Sequence, residues 1–261
     1  MKTEFVVMLC CLWFTLLSCA QEETVDDIIA KMTEASGGAE ALMAVNDRVG
    51  TWEMKMAMPS PETGETTEMT SEMVITYKRP NKLRFDVLGP DGNPMGITCY
   101  DGETGWQSEM NPQTMAMDTK MMSEDELKET ENMAATWLDG LQNYKERGTT
   151  ITKLAAEEGA EHILLECAYK NGHTETLYVN PASYFVEKSM AMRMNPATQA
   201  MEELLMTFGD YQMLDGVAIP HMVAMHTKDG GTTLWSVTFK DAKHNTGVAD
   251  DLFTMNGMTA K

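Results

Sequence analysis

Most of the chain alternates apolar and polar residues with a period of two, which is the pattern of a β-strand with one buried face. The first such segment places Trp52, Met54 and Met56 on one side, and similar segments recur as far as residue 239. Turn residues separate them, and Asn171 followed by Gly172 is a strong signal for a tight hairpin. The pattern predicts about eleven short strands joined as an antiparallel meander.

Two segments have a helical period of apolar residues instead. Thr24 is a favourable N-cap ahead of such a segment, which predicts a helical region over residues 24–45. Ser123 and Glu126 have the spacing of a capping box, and the apolar stripe after them predicts a second helix over residues 123–141.

These elements describe one domain of the mainly β (α+β) class. No repeat and no linker composition interrupts residues 20–261, so we expect a single domain there. A sheet of so many strands does not stay flat, so we expect a single curved antiparallel sheet with the helices packed on it.

The first residues read as a signal peptide over residues 1–19. The twelve-residue apolar run from Val6 to Leu17 is shorter than the roughly 20 residues that span a bilayer. Residues 16–19 resemble a bacterial lipobox, which would lipidate Cys19, whereas residues 18–20 also fit an ordinary signal-peptidase site. A buried N-terminal helix is the third interpretation. Both cleavage sites predict an exported protein, and we favour the lipidated form.

The charge of the chain excludes several partners. Lys and Arg number 20 against 40 Asp and Glu, which gives a formal net charge of −20. Nucleic acids and anionic membrane surfaces both need a basic footprint, so neither is expected as a partner. Membrane contact is therefore expected only through an N-terminal lipid anchor.

The sequence offers little for catalysis or cofactor binding. Outside the signal region it keeps Cys99 and Cys167, which are either joined in a disulfide or free buried thiols. No CxxC, HExxH, GxSxG or glycine-rich phosphate loop occurs. We therefore predict no catalytic residue, no metal ligand set, no cofactor and no enzymatic activity.

Five short segments together carry a family resemblance. They are residues 77–85, 89–92, 97–106, 208–220 and 245–253, with a basic-Arg-Pro start, an aromatic strand, a proline turn, and Asp-Gly ahead of a tryptophan. This combination resembles the periplasmic lipoprotein carrier and outer-membrane lipoprotein-sorting family, the LolA/LolB-like fold.

The resemblance implies an unclosed half-barrel whose concave apolar face is covered by helices and holds the acyl chains of a lipoprotein. Arg79 matches the arginine that ties the sheet to the helical lid through helix carbonyls, so it is the expected lid latch. The chain is longer than the simple carriers and has a candidate lipid anchor, which indicates a paralogue with its own ligand.

The chain contains 26 methionines, and three interpretations of them remain open. They fill an ordinary core, line a ligand cavity with adaptable thioethers, or bind Cu(I). The copper interpretation rests on a polar loop expected at residues 110–122, with Met110, Met115, Met117, Met121 and Met122. The residues expected to line the cavity are Met54, Met56, Met58, Leu83, Phe85, Met190, Met192, Met194, Leu204, Met206, Phe208, Trp235, Val237 and Phe239.

The leading prediction is an exported, lipid-anchored binding protein that holds acyl chains or another apolar ligand and is related to outer-membrane lipoprotein sorting. Its expected location is the periplasm or the outer membrane of a Gram-negative bacterium. Two alternatives are an envelope regulatory or sensing module that binds a protein partner and a methionine-rich periplasmic Cu(I)-binding protein.

Overall fold

The computed structural model describes residues 23–59, 66–111, 113–155, 159–198 and 200–255. The predicted signal peptide and Cys19 lie outside these residues. The helices are α1 (Val25–Ala35), α2 (Gly38–Ala44) and α3 (Glu124–Thr136), with a short 3₁₀ helix at Asp250–Phe253. The strands are β1 (Asp47–Pro59), β2 (Thr66–Lys78), β3 (Lys82–Leu88), β4 (Pro94–Tyr100), β5 (Gly105–Met110), β6 (Met117–Met121), β7 (Thr150–Lys153), β8 (Ile163–Ala168), β9 (Thr174–Val179), β10 (Val186–Met194), β11 (Met201–Leu214), β12 (Val217–Thr227) and β13 (Thr233–His244).

All thirteen strands of the described residues form one antiparallel sheet. The first six strands make one meander and the last seven make another, and the two meanders join where β1 pairs with β13 in the middle of the sheet. The edges are β6 and β7, which do not pair with each other, so the sheet is unclosed. The predicted class is thereby confirmed, with thirteen strands in place of about eleven.

Helix α3 connects the two edges of the sheet, and its contacts show that the sheet curls around it. Gln107 in β5 donates a hydrogen bond to Glu126 at 3.2 Å, and Arg193 in β10 lies 3.3 Å from Glu129. Eight strand spacings separate β5 from β10, about 38 Å on a flat sheet. Glu126 and Glu129 are about one helical turn apart on α3, which is roughly 10–12 Å across. They can contact both β5 and β10 only if the sheet bends around the helix.

The helices begin where the sequence predicts and one ends earlier. Thr24 with Asp27 and Ser123 with Glu126 both form complete capping boxes. Helix α3 ends at Thr136, although the apolar stripe predicted residue 141. The chain then runs through turns, in which Gly140 has a left-handed φ of 57° that a continuing helix does not allow.

The described residues of the segment 110–122 form a hairpin and not the predicted loop. Met110 in β5 pairs with Met117 in β6, and the register continues to Trp106 and Met121. The turn is built by Asn111, whose side-chain oxygen accepts from the backbone N–H of Gln113 at 3.0 Å. The cross-strand pairing makes β6 a strand although its exposed side chains carry no clear alternation.

Three separate clusters of buried residues stabilise the sheet. The helix-facing core packs β1–β3 and β11–β13 against α2, α3 and the turn after α3. The α1 core joins α1 to β7–β9 and includes Cys167, and the outer core packs Phe253 on Cys99 and Trp106. Because Cys99 and Cys167 lie in different clusters, they are free buried thiols, which settles the two readings of this pair.

Candidate functional site

A cavity of about 270 Å³ lies between the helical layer and the second half of the sheet. Helix α1 contributes Ile29 and Met32, and α3 with the following turn contributes Met133 and Trp137. Strands β9–β12 and the turns beside them form the opposite wall, with residues such as Leu177, Val186, Met206, Phe208, Tyr211 and Pro220. The walls are therefore largely apolar and aromatic.

Of the predicted cavity residues whose side chains the structure describes, two line this space, Met206 and Phe208 of β11. Most of the others belong to the helix-facing core, where their own side chains fill the space under the helices. These residues are Met54, Met56, Leu83, Phe85, Leu204, Trp235, Val237 and Phe239. The first half of the covered face is thus packed, and the open space lies beside the second half.

Three predicted residues, Met190, Met192 and Met194, lie on the opposite face of the sheet. Ser189 pairs with Met206 and Ala191 pairs with Leu204, so these two residues of β10 face the helices. The alternation then places Met190, Met192 and Met194 outside, where Met192 is 49% exposed. The expectation that they line the cavity is therefore not met. Met58 lies in β1, and its side chain is outside the described part of the structure.

A polar group centred on Arg193, which the sequence pattern did not predict, lies at one end of the cavity. The Arg193 Nη2 donates to Ser189 Oγ at 3.0 Å and to Glu175 Oε2 at 3.3 Å. Its Nε lies 3.3 Å from Glu129 Oε1 of α3. The sequence contains one weak signal for this group, a charged residue between two methionines of β10. Arg193 alternates with these methionines and shares a face with Ser189 and Ala191.

Burial shifts the pKa values of the groups around Arg193. Burial raises the pKa of Glu129 in spite of the nearby arginine, and it lowers the pKa of His173. It also holds the pKa of Tyr169 well above its ordinary value, and this hydroxyl donates a hydrogen bond to Glu175. His173 is therefore neutral at physiological pH, and Glu129 gives up its proton less readily than an exposed glutamate.

Arg48 is a second buried arginine on the cavity wall. Its Nε donates to His244 Nε2 at 2.9 Å, and burial lowers the pKa of Arg48 to about 10. Burial and the adjacent Arg48 charge also lower the pKa of His244, which keeps this imidazole neutral as a hydrogen-bond acceptor.

Arg79 joins the sheet to the helical layer at the other side of the cavity. Its Nε donates to the carbonyl of Val45 at 2.6 Å, and Nη2 donates to the carbonyl of Leu42 in α2 at 2.7 Å. Its Nη1 forms an ion pair with Asp139 in the turn after α3. The Arg79 guanidinium thus connects the end of α2 and the turn after α3 to the turn between β2 and β3.

The residues considered for Cu(I) do not form one cluster. Met115 is 69% exposed at the turn, whereas the Met122 side chain covers Gly105 on the way to α3. Among the described residues no group of three His, Cys, Asp or Glu side chains is placed to hold a metal ion.

No described helix is both long and apolar enough to cross a membrane.

The fold is shared with solved structures of low sequence identity. No family model matches the sequence, and no curated protein matches it significantly. A domain assigned to outer membrane lipoprotein sorting in Vibrio parahaemolyticus matches with a TM-score of 0.54 and 16% identity, over 89% of this chain and 97% of that one. A LolA superfamily protein from Nitrosomonas europaea matches with a TM-score of 0.55 and 11% identity, over 87% and 97%. A DUF1329 family protein from Desulfovibrio piger matches with a TM-score of 0.56 and 11% identity, over 88% and 98%. The chain therefore has a LolA-like fold.

Proposed function

We propose that this protein is an exported binding protein that holds an acyl chain or a similar apolar ligand between its helical layer and its sheet. The observation that carries the proposal is the cavity of about 270 Å³ with its apolar walls. The likeness to a lipoprotein-sorting domain and to a LolA superfamily protein supports a role related to outer-membrane lipoprotein sorting.

The size of the cavity favours one chain over several. Sites for small molecules commonly enclose about 300–1,000 Å³, and this cavity lies just below that range. Each CH₂ group removed from water contributes about 0.8 kcal/mol, so a chain of modest length suffices for stable binding.

We propose that ligand entry involves movement of the helical layer, because α1, α3 and the turn after α3 form one wall of the cavity. Arg79 connects that layer to the sheet through Leu42, Val45 and Asp139. We propose that it acts as the latch of the lid. The signal peptide over residues 1–19, the lipid on Cys19 and the periplasmic or outer-membrane location belong to the same proposal.

Native mass spectrometry of the mature protein, purified from a Gram-negative periplasm, tests the proposal. We expect a bound lipid or acylated species that is released on denaturation and that a fluorescent fatty-acid probe displaces. A ligand-free mass together with no probe binding would contradict it and would favour the protein-partner alternative, because the first half of the covered face is already filled.

A pair of matched variants locates the binding site. Ala218 lines the cavity, whereas Ala224 on the same strand pairs with Thr207 on the outer face. Ala218→Phe should fill the cavity and weaken probe binding, and Ala224→Phe should leave binding unchanged. Equal affinities in the two variants would place the ligand elsewhere.

A further inference from the structure

The polar end of the cavity contains a buried hydrogen-bond donor that the protein does not use. Arg193 is 5% exposed and lines the cavity. Its Nη2 is bonded to Ser189 and Glu175, and its Nε faces Glu129, but its Nη1 has no hydrogen-bond partner among the described residues. Buried charged donors are rarely left unpaired, because the lost hydration is not recovered.

This donor lies at one end of an elongated space. Along β10 the cavity is lined by Val186, Ser189 and Arg193. The seven residue steps from Arg193 to Val186 correspond to about 23 Å of strand. Met206 lies opposite Ser189, and Phe208 and Tyr211 follow toward the Val186 end. One end therefore offers a guanidinium and the rest offers apolar and aromatic surface.

The charges around Arg193 select the kind of polar group that fits there. Two carboxylates, Glu129 and Glu175, already face the one guanidinium, and His173 beside them is neutral. A ligand carboxylate or phosphate would add another negative charge beside these two carboxylates. The other buried arginine of the cavity wall, Arg48, lies on β1, four strands away from β10 in the sheet. An uncharged oxygen can accept from Arg193 without that cost.

We infer that the ligand is an amphiphile with an uncharged, oxygen-bearing head group, such as an ester, an amide or a hydroxyl, which accepts a hydrogen bond from Arg193 Nη1. The hydrocarbon chain then runs along β10 and β11 toward Phe208 and Tyr211. This inference rests on the proposed function and adds the head-group class to it.

A set of chain-matched amphiphiles tests the inference on the unaltered mature protein. The set contains monomyristoylglycerol, myristate and tetradecyltrimethylammonium, each used at neutral pH to displace the neutral dye N-phenylnaphthylamine. We expect monomyristoylglycerol to bind about tenfold more tightly than myristate, because only the neutral head group pairs with Arg193 without adding charge.

Variants of Arg193 then assign the preference to this side chain. Arg193→Met should reduce the ratio of the two affinities to below about twofold. Lys188→Met, on the outer face of the same strand, should leave the ratio unchanged. Arg193→Met leaves the carboxylates of Glu129 and Glu175 without their arginine. The double variant Arg193→Met/Glu129→Gln therefore provides a second measurement in a site with less uncompensated charge.

The outcomes separate the inference from the proposed function. If no member of the set displaces the dye, the proposed function fails. If the members bind with equal affinity, or if myristate or the ammonium compound binds best, apolar binding stands and the head-group inference is overturned. A preference for monomyristoylglycerol that survives in Arg193→Met also overturns it.

Discussion

Three arginines in this protein are almost completely buried, and each is held by different partners. Arg48, Arg84 and Arg193 are between 4% and 6% exposed. Arg84 makes three hydrogen bonds to Asp86, at 2.7, 2.9 and 3.0 Å, and donates to the carbonyl of Leu252 at 2.6 Å. A buried ion pair of this kind stabilises little by itself, but removing one partner leaves an uncompensated charge.

We expect Asp86→Ala to lower the free energy of unfolding by about 3–5 kcal/mol, because Arg84 then stays buried without its carboxylate. Urea denaturation followed by circular dichroism measures the change. The double variant Arg84→Met/Asp86→Leu removes both charges and should cost clearly less. If the double variant is as unstable as the single one, the loss comes from packing and not from charge.

Glu129 should make stability fall as pH rises. Burial raises its folded pKa above the ordinary 4.5, so the folded state holds this proton more tightly than the unfolded state. The resulting stability is fully present below pH 4.5 and is lost as pH rises through the higher folded pKa. The free energy of unfolding of the unaltered protein minus that of Glu129→Gln should therefore decrease with rising pH.

Glu124 on the same helix provides the control with the opposite sign. Its hydrogen bond to Lys128 lowers its pKa below the ordinary value of 4.5, so its contribution is present above that pH and is lost as pH falls. The free energy of unfolding of the unaltered protein minus that of Glu124→Gln should therefore increase with rising pH. Identical trends in the two variants would contradict the assignment of the shift to Glu129.

At the scale of elements, α3 and the turn after it belong to the helical layer that we propose moves when ligand enters. The helix contacts β3, β4 and β10, and so connects both meanders. Asn171 in the β8–β9 turn donates to the carbonyl of Lys128 at 3.1 Å and to Glu131 at 2.8 Å. Arg79 is thus one of several polar contacts that hold this layer in place.

Substitution of Arg79 should speed ligand exchange. Arg79→Leu removes the hydrogen bonds to Leu42 and Val45 and the ion pair with Asp139, so the helical layer opens more often. Stopped-flow release of a fluorescent fatty-acid probe should be roughly tenfold faster or more, because each of the two or three lost hydrogen bonds contributes about 1 kcal/mol. Lys82→Leu, which loses only contacts near Asp250 outside the helical layer, should release the probe at the normal rate. Unchanged release from Arg79→Leu would exclude the latch role.

The elements of this fold were largely predictable, and the faces of individual strands were less so. Capping at Thr24 and Ser123 depends on local sequence, and the structure confirms both positions. Strands β6 and β7 are at the edges, so their mixed side chains carry little alternation. In β10 the period of two is clear but does not say which set faces inward, and the buried set contains Ser189 and Arg193 in place of the methionines.

The candidate site was predictable only in part for the same reason. Arg79 and its helix carbonyls followed from a resemblance to known proteins, and Met206 and Phe208 followed from apolar alternation. The group around Arg193 depends on which residues α3 brings to β10, a contact between segments more than 50 residues apart. Periodicity within one segment contains no information on such a contact.

At the scale of the whole molecule, one continuous sheet should make the two meanders unfold together. Burial raises the pKa of Cys99 in the outer core to about 12 and also raises that of Cys167 in the α1 core, so both thiols are unreactive while folded. They report on different halves of the sheet.

We therefore expect the two thiols to be labelled with the same denaturant dependence. Labelling with a maleimide at increasing urea, with Cys99→Ala and Cys167→Ala to assign the sites, should give opening free energies that agree within about 0.5 kcal/mol. Clearly different values would show that the meanders open separately and that the β1–β13 pairing does not couple them.

The pairing of β1 with β13 also has a consequence for how the chain is made. Among the described strands β13 is the last in chain order, so a chain in which β13 has not yet formed presents β1 as an open edge of the first meander. Strand β12 is open until the same moment. Such a chain therefore has two long unpaired edges that invite pairing with other chains, and it needs protection from aggregation until β13 pairs with both β1 and β12.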